Sequence, residues 1–91
     1  MMIRMRYNFS GMVQGVGFRY TACRAAERLG LTGWVRNEYN GSVTVEIQGK
    51  PDDIGRFLKY LENGRFISIE NRTSQKLPVD PDERSFDVAG Y

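Results

Sequence analysis

Two helices packed on one face of an antiparallel β-sheet is the architecture this sequence predicts, and three observations predict it. Apolar residues recur at helical spacing in two segments and at strand spacing in four others. The segments follow one another in the order β-α-β-β-α-β. Each helix carries one apolar stripe, and a sheet is the simplest surface to cover both. The chain has 91 residues, which fits one domain spanning residues 1–91. A chain of this size buries roughly 60–70% of the surface it exposes when unfolded, enough for one core.

Arg4 to Ser10 alternates polar and apolar residues and reads as a half-buried first strand. Gly11 to Gly17 reads as a loop. Phe18, Ala22, Ala25 and Leu29 follow at spacings of four, three and four, one face of a helix that Gly30 stops. Leu31 to Asn37 is the second strand, with Trp34 and Val35 at its centre. Asn40-Gly41 is a hairpin turn signal. Val43, Val45 and Ile47 then alternate with Thr44, Glu46 and Gln48 as a third strand. Pro51-Asp52-Asp53 opens a second helix with acids placed to complement its dipole. Ile54, Phe57, Leu58 and Leu61 form its inner face, and Gly64 ends it. Gly55 is a local weakness of about 1 kcal/mol against alanine. Phe66 to Asn71 is the fourth strand. Leu77 to Asp82 is a loop, because its two prolines do not fit a central strand. Phe86 and Val88 mark a short extra C-terminal strand. This is a ferredoxin-like α/β sandwich, βαββαβ with one added strand.

Composition narrows the chemistry. Hydrophobic residues make up 41% of the chain, so a packed core is expected. The longest apolar stretches are far too short to cross a bilayer. Met1 to Arg6 lacks the apolar middle of a secretory signal, so a cytoplasmic protein is expected. Cys23 is the one cysteine, so no internal disulfide forms; it reads as a buried small hydrophobe. Arg28 follows it after four residues rather than the five of a cysteine phosphatase loop. Histidine is absent. That removes Ser-His-Asp and Cys-His catalysis, the usual imidazole zinc sites and the commonest general base near neutral pH. The net charge is +2, which suits a small anionic substrate but lacks the basic clustering of a nucleic-acid domain. Trp34, Tyr7 and Phe9 read as sheet packing rather than base-stacking platforms. Asp80, Asp82 and Glu83 read as a solvated loop without the ligand spacing of a calcium site.

The segment most directly tied to chemistry is Gln14-Gly15-Val16-Gly17-Phe18-Arg19. Two glycines one residue apart let the backbone turn tightly and aim successive N–H groups inward. The helix that follows adds its unpaired N–H groups and positive dipole end. Arg19 adds a planar fork of donors matched to phosphate. The segment therefore describes an anion cradle sized for phosphate. It lacks the Gly-Lys-Ser/Thr ending of a nucleotide-binding loop. Gln14 has two readings of equal weight, closing the loop onto backbone or standing near the substrate.

Gly11-Met12-Val13-Gln14-Gly15-Val16-Gly17-Phe18-Arg19 resembles the signature loop of the acylphosphatases. Gly33-Trp34-Val35-Arg36-Asn37, with Gly41, Val43 and Gly49 at the right intervals, resembles the second signature of that family. Phe9 stands where the family usually has an aliphatic residue, and Asn71 to Arg84 matches no motif. The resemblance implies hydrolysis of small acyl phosphates to a carboxylate and inorganic phosphate, without a metal or cofactor. By motif match Arg19 binds the phosphate, Asn37 orients the attacking water, and the amides from Gln14 to Arg19 hold the phosphate oxygens. A small-molecule acyl phosphate substrate, no nucleic acid, no membrane and a monomer are the expected partners and state. The alternative is a non-catalytic anion- or RNA-binding module on the same fold, since fold alone does not assign function.

Overall fold

The computed structural model describes residues 1–90. Its elements are β1 (Ile3–Met12), α1 (Phe18–Leu29), β2 (Thr32–Asn37), β3 (Val43–Gly49), α2 (Pro51–Glu62), β4 (Ser68–Leu77) and β5 (Phe86–Val88). The sheet runs in the order β4-β1-β3-β2-β5. β1 pairs antiparallel with both β3 and β4, and β2 pairs antiparallel with β3. These four strands and two helices are the ferredoxin-like sandwich expected. β5 lies parallel to β2, so the complete sheet is mixed.

Both helices cover one face. Tyr7 and Phe9 of β1, Val35 of β2, and Val43, Val45 and Ile47 of β3 project into a core completed by Phe18, Ala22, Ala25 and Ala26 of α1 and by Ile54, Phe57 and Leu61 of α2. Phe9 is fully buried, its ring centroid 5.3 Å from that of Phe18 and 5.8 Å from that of Tyr7. An aromatic residue at position 9 thus packs the first residue of α1 onto the sheet. α1 ends as its glycine predicts. Gly30 is left-handed (φ 67°), and the Leu31 N–H donates to the Ala26 carbonyl at 2.9 Å. α2 ends one step before the predicted glycine, with Asn63 as its cap. Gly55 is exposed with open space beside it, and nothing in the structure requires a glycine there.

Several sequence expectations change. β1 runs two residues further, through Gly11 and Met12, because the partner strand β4 accommodates it with a bulge. The pairing steps from Ser10↔Asn71 to Gly11↔Ile69, skipping Glu70. Gly11 has φ 118°, and a Cβ there would overlap the Ser68 carbonyl oxygen. The fourth strand is Ser68–Leu77 rather than Phe66–Asn71, so half of the unmatched Asn71–Arg84 segment is edge strand. Its polar sequence hides it, since an edge strand needs little apolar alternation.

The other half of that segment crosses the sheet face opposite the helices to deliver β5 to the far edge. Glu83 forms a fork with Arg4, at 2.8 Å and 3.1 Å. Gln48 Nε2 donates to the Asp80 carbonyl at 2.9 Å, and the Asp80 N–H donates back to Gln48 Oε1 at 2.7 Å. Arg4 also pairs with Glu46 at 2.9 Å. Arg4 and Gln48 are consequently 6% and 2% exposed. β3 is therefore buried on both faces despite its alternating sequence, and Glu83 is an ion-pair partner, not a solvated loop residue. Trp34, on the same face, stands between the guanidinium groups of Arg36 and Arg6, 4.9 Å and 5.9 Å from its centroid. Tyr7 and Phe9 are core, as expected.

Gly33 is the tightest point of the sheet. Its φ is 142°, and a Cβ would overlap the carbonyl oxygen of Glu46 on β3. Its N–H also donates to the Ser85 carbonyl at 3.1 Å, starting the β2–β5 pairing. Gly33→Ala is expected to destabilise the fold by on the order of 3 kcal/mol, the sum of overpacking against fixed backbone and backbone strain. A urea midpoint unchanged from wild type would contradict that.

Candidate active site

The cradle begins where β1 stops. Gly15 and Gly17 are left-handed, with φ 72° and 80°, and no non-glycine residue in the described chain has positive φ. Left-handed glycines therefore alternate with ordinary residues from Gln14 to Phe18, the backbone pattern that turns consecutive N–H groups toward one point. Among the described residues, no backbone carbonyl accepts from the N–H groups of Gly15, Val16, Gly17 or Phe18. Gly17 is also the N-cap of α1 and supplies no side-chain cap, so the helix end keeps its donors directed outward. Phe18 is in the core and Val16 packs against it. Their side chains anchor the loop from below while the backbone faces out.

Gln14 resolves to one of its two readings. Its Nε2 donates to the Glu38 carbonyl at 2.7 Å and to the Ser42 carbonyl at 2.9 Å. One side chain thus ties the cradle to the turn between β2 and β3, directly after Asn37. Both amide protons are spent on this tether, so Gln14 acts on backbone rather than toward a ligand.

Asn37 closes β2, and its Cα partner on β3 is Val43; Val43 in turn faces Phe9 on β1. Asn37 shares the helix-facing side with Val35. Two strand spacings, about 10 Å, separate it from Phe9 in this row, and Phe9 carries the first residue of α1. Arg19 is the second residue of α1 and half-buried. Its charge is felt one turn further on at Cys23, together with that of Asp87 on β5. Arg19 therefore lies on the flank of α1 that faces the β2–β5 side of the sheet, the side on which Asn37 stands. The cradle follows the end of β1, Asn37 ends β2, and the Gln14 side chain links the two segments.

Sequence reasoning missed the frame behind Asn37. The Glu38 N–H donates to the Ser42 carbonyl at 2.8 Å, and Asn40 Oδ1 accepts from the Ser42 N–H at 3.0 Å and from its hydroxyl at 2.6 Å. Glu38 accepts from the Thr44 hydroxyl at 2.6 Å and from Arg36 at 3.0 Å. The Thr44 hydrogen bond and then Arg36 hold its carboxyl below the ordinary range. Asn8 Nδ2 reaches Ser42 Oγ and Thr44 Oγ1 at 3.0 Å and 3.1 Å. Asn40-Gly41 signalled a turn, but only the tertiary arrangement reveals that the turn is a rigid platform for Asn37. Cys23 is partly buried rather than fully buried, and that burial pushes its thiol above the ordinary value, away from the thiolate.

Chemically the site offers amide donors and a guanidinium at one end, and a carboxamide across from them. Groups of these types are able to bind an oxyanion and to hold a water molecule without a titrating base. No helix of the described residues is long and apolar enough to cross a membrane.

A family model described as "Acylphosphatase" matches residues 5–88. An acylphosphatase of Oceanobacillus iheyensis is 38% identical over 89 residues, which cover 96% of this chain and 98% of that one. Among solved structures, an acylphosphatase from Bacillus subtilis matches with a TM-score of 0.89 and 27% identity, over 99% of this chain and 100% of that chain. One from Coxiella burnetii matches with a TM-score of 0.87 and 32% identity, over 97% and 93% of the two chains.

Proposed function

The chain belongs to the acylphosphatase family, and from that premise we propose how it cleaves the carboxyl–phosphate bond of a small acyl phosphate. Residues 1–91 act as one catalytic domain. The amides from Gln14 to Arg19 and the Arg19 guanidinium bind the phosphate oxygens. Asn37 holds a water in line with the bond to the carboxylate. Water oxygen bonds to phosphorus as the phosphorus–acyl oxygen bond breaks, and that electron pair leaves on the carboxylate. The water proton passes to a phosphate oxygen of the substrate, since no side chain present is poised as a strong base. Phosphoryl transfer from a mixed anhydride asks chiefly for positioning and charge stabilisation, which this set of groups supplies.

The single observation that carries the reading is the Gln14 tether, two hydrogen bonds of 2.7 Å and 2.9 Å from the cradle to the turn after Asn37. It keeps the phosphate-binding and water-orienting halves in fixed relation without joining in the chemistry. The test is hydrolysis of benzoyl phosphate with EDTA present. Turnover that inorganic phosphate inhibits competitively is expected. A folded protein that releases no phosphate, or that turns over only when a divalent metal is restored, would overturn the proposal.

A further inference from the structure

Asn8 lies half-buried on β1, between the core residues Tyr7 and Phe9 and so on the sheet face opposite the helices; its Cα partner on β3 is Thr44. Its Nδ2 carries two protons, and two hydroxyl oxygens receive them, Ser42 Oγ at 3.0 Å and Thr44 Oγ1 at 3.1 Å. Both hydroxyls are already committed as donors. Ser42 Oγ donates at 2.6 Å to Asn40 Oδ1, which also accepts from the Ser42 N–H. Thr44 Oγ1 donates at 2.6 Å to the Glu38 carboxylate, a group that only accepts. A hydroxyl has one proton, so each oxygen has only lone pairs left to offer Asn8. The direction of every bond is thereby fixed, with Asn8 as the first donor and with Asn40 and Glu38 as the last acceptors. Ser42 and Thr44 are 5% and 3% exposed, which leaves water little access to replace Asn8.

We propose that Asn8 is a positioning residue for turnover: its two donated protons set the direction of the hydrogen bonds that hold the turn from Glu38 to Ser42, and through that turn the Asn37 carboxamide. The proposal rests on the water-orienting role given to Asn37 above. Glu38 follows Asn37 directly, and its N–H donates to the Ser42 carbonyl at 2.8 Å. A turn released at Ser42 and Thr44 therefore loosens the residue next to Asn37. Gln14 keeps its bond of 2.7 Å to the Glu38 carbonyl, and the cradle amides and Arg19 belong to another segment, so phosphate binding is spared. Aspartate does not replace asparagine here. It has nearly the same shape but only accepts. It draws the two hydroxyl protons away from Asn40 and Glu38, and adds a second negative charge one hydroxyl away from Glu38.

The test is steady-state hydrolysis of benzoyl phosphate by N8A, N8D and N37A and by the pairs N8A/N37A and N8D/N37A. Inhibition by inorganic phosphate and the urea midpoint are recorded for each. N8A is expected to lower kcat about tenfold and to leave the phosphate inhibition constant within a few-fold of wild type. N8D is expected to lower kcat further, although it is the closer match in shape; a side chain that only fills space gives the reverse order. With Asn37 already replaced by alanine, neither change at position 8 is expected to lower kcat by more than about twofold, because the group it positions is gone. N8A with wild-type kcat, a folded N8D milder than N8A, or the same loss with and without Asn37 would each overturn the proposal. If N8D does not fold, the coupling of N8A with N37A decides the outcome. A wild type without turnover, or N37A with full turnover, overturns the reading of Asn37 and this proposal with it.

Discussion

Arg19→Ala is expected to lower kcat/KM for benzoyl phosphate by about 100-fold or more, and to remove competitive inhibition by inorganic phosphate along with it. The guanidinium is the one fixed positive side chain in the first turn of α1, directly after the left-handed glycines. In the proposed mechanism its charge meets both the ground-state phosphate and the charge that develops during transfer, so binding and turnover are expected to fall together. Arg19→Lys is expected to recover only part of the loss, since an ammonium keeps the charge but not the two-pronged geometry. The fold should survive, because the core beneath the loop is built by Phe18, Ala22 and Ala25. Circular dichroism and a urea midpoint close to wild type verify that. A folded Arg19→Ala protein with wild-type phosphate affinity would move the anion site elsewhere.

Asn37→Ala is expected to separate the two halves of the site. Turnover falls by about 100-fold, while the inhibition constant for inorganic phosphate stays within a few-fold of wild type. Asn37 stands two strands from Phe9 in the sheet, whereas in the proposed mechanism the phosphate contacts come from the loop and Arg19. Loss of a water-orienting amide therefore appears in kcat. The adjacent turn does not depend on the Asn37 side chain: Gln14, Glu38, Asn40, Ser42 and Thr44 hold it. If phosphate affinity and turnover collapse together, Asn37 is a support for the turn and the water is held by another group.

The sequence reached further at the site than at the sheet's margins. Gly15 and Gly17 announce left-handed backbone, and both are left-handed. Phe18, Ala22 and Ala25 announce the inner face of α1, and all three are buried. Those readings succeed because they depend on residues close in sequence. The sequence leaves Gln14 open, because whether its amide meets backbone or ligand depends on a turn more than twenty residues away. Arg4 is a polar position in an alternating strand, and its burial follows from Glu83 at the other end of the chain. The full length of β4 is not legible in sequence, because an exposed edge strand carries no apolar rhythm to read.

Local conformational preference and apolar periodicity, both written within a few consecutive residues, determined the helices, the inner strands, the turn and the makeup of the cradle. Long-range hydrogen bonding and pairing decided the rest: the parallel seating of β5, the crossing segment that buries Arg4 and Gln48, the bulge beside Gly11, and the Gln14 tether between cradle and turn. Those contacts join residues distant in the chain, and their partners come into reach only when the sheet closes.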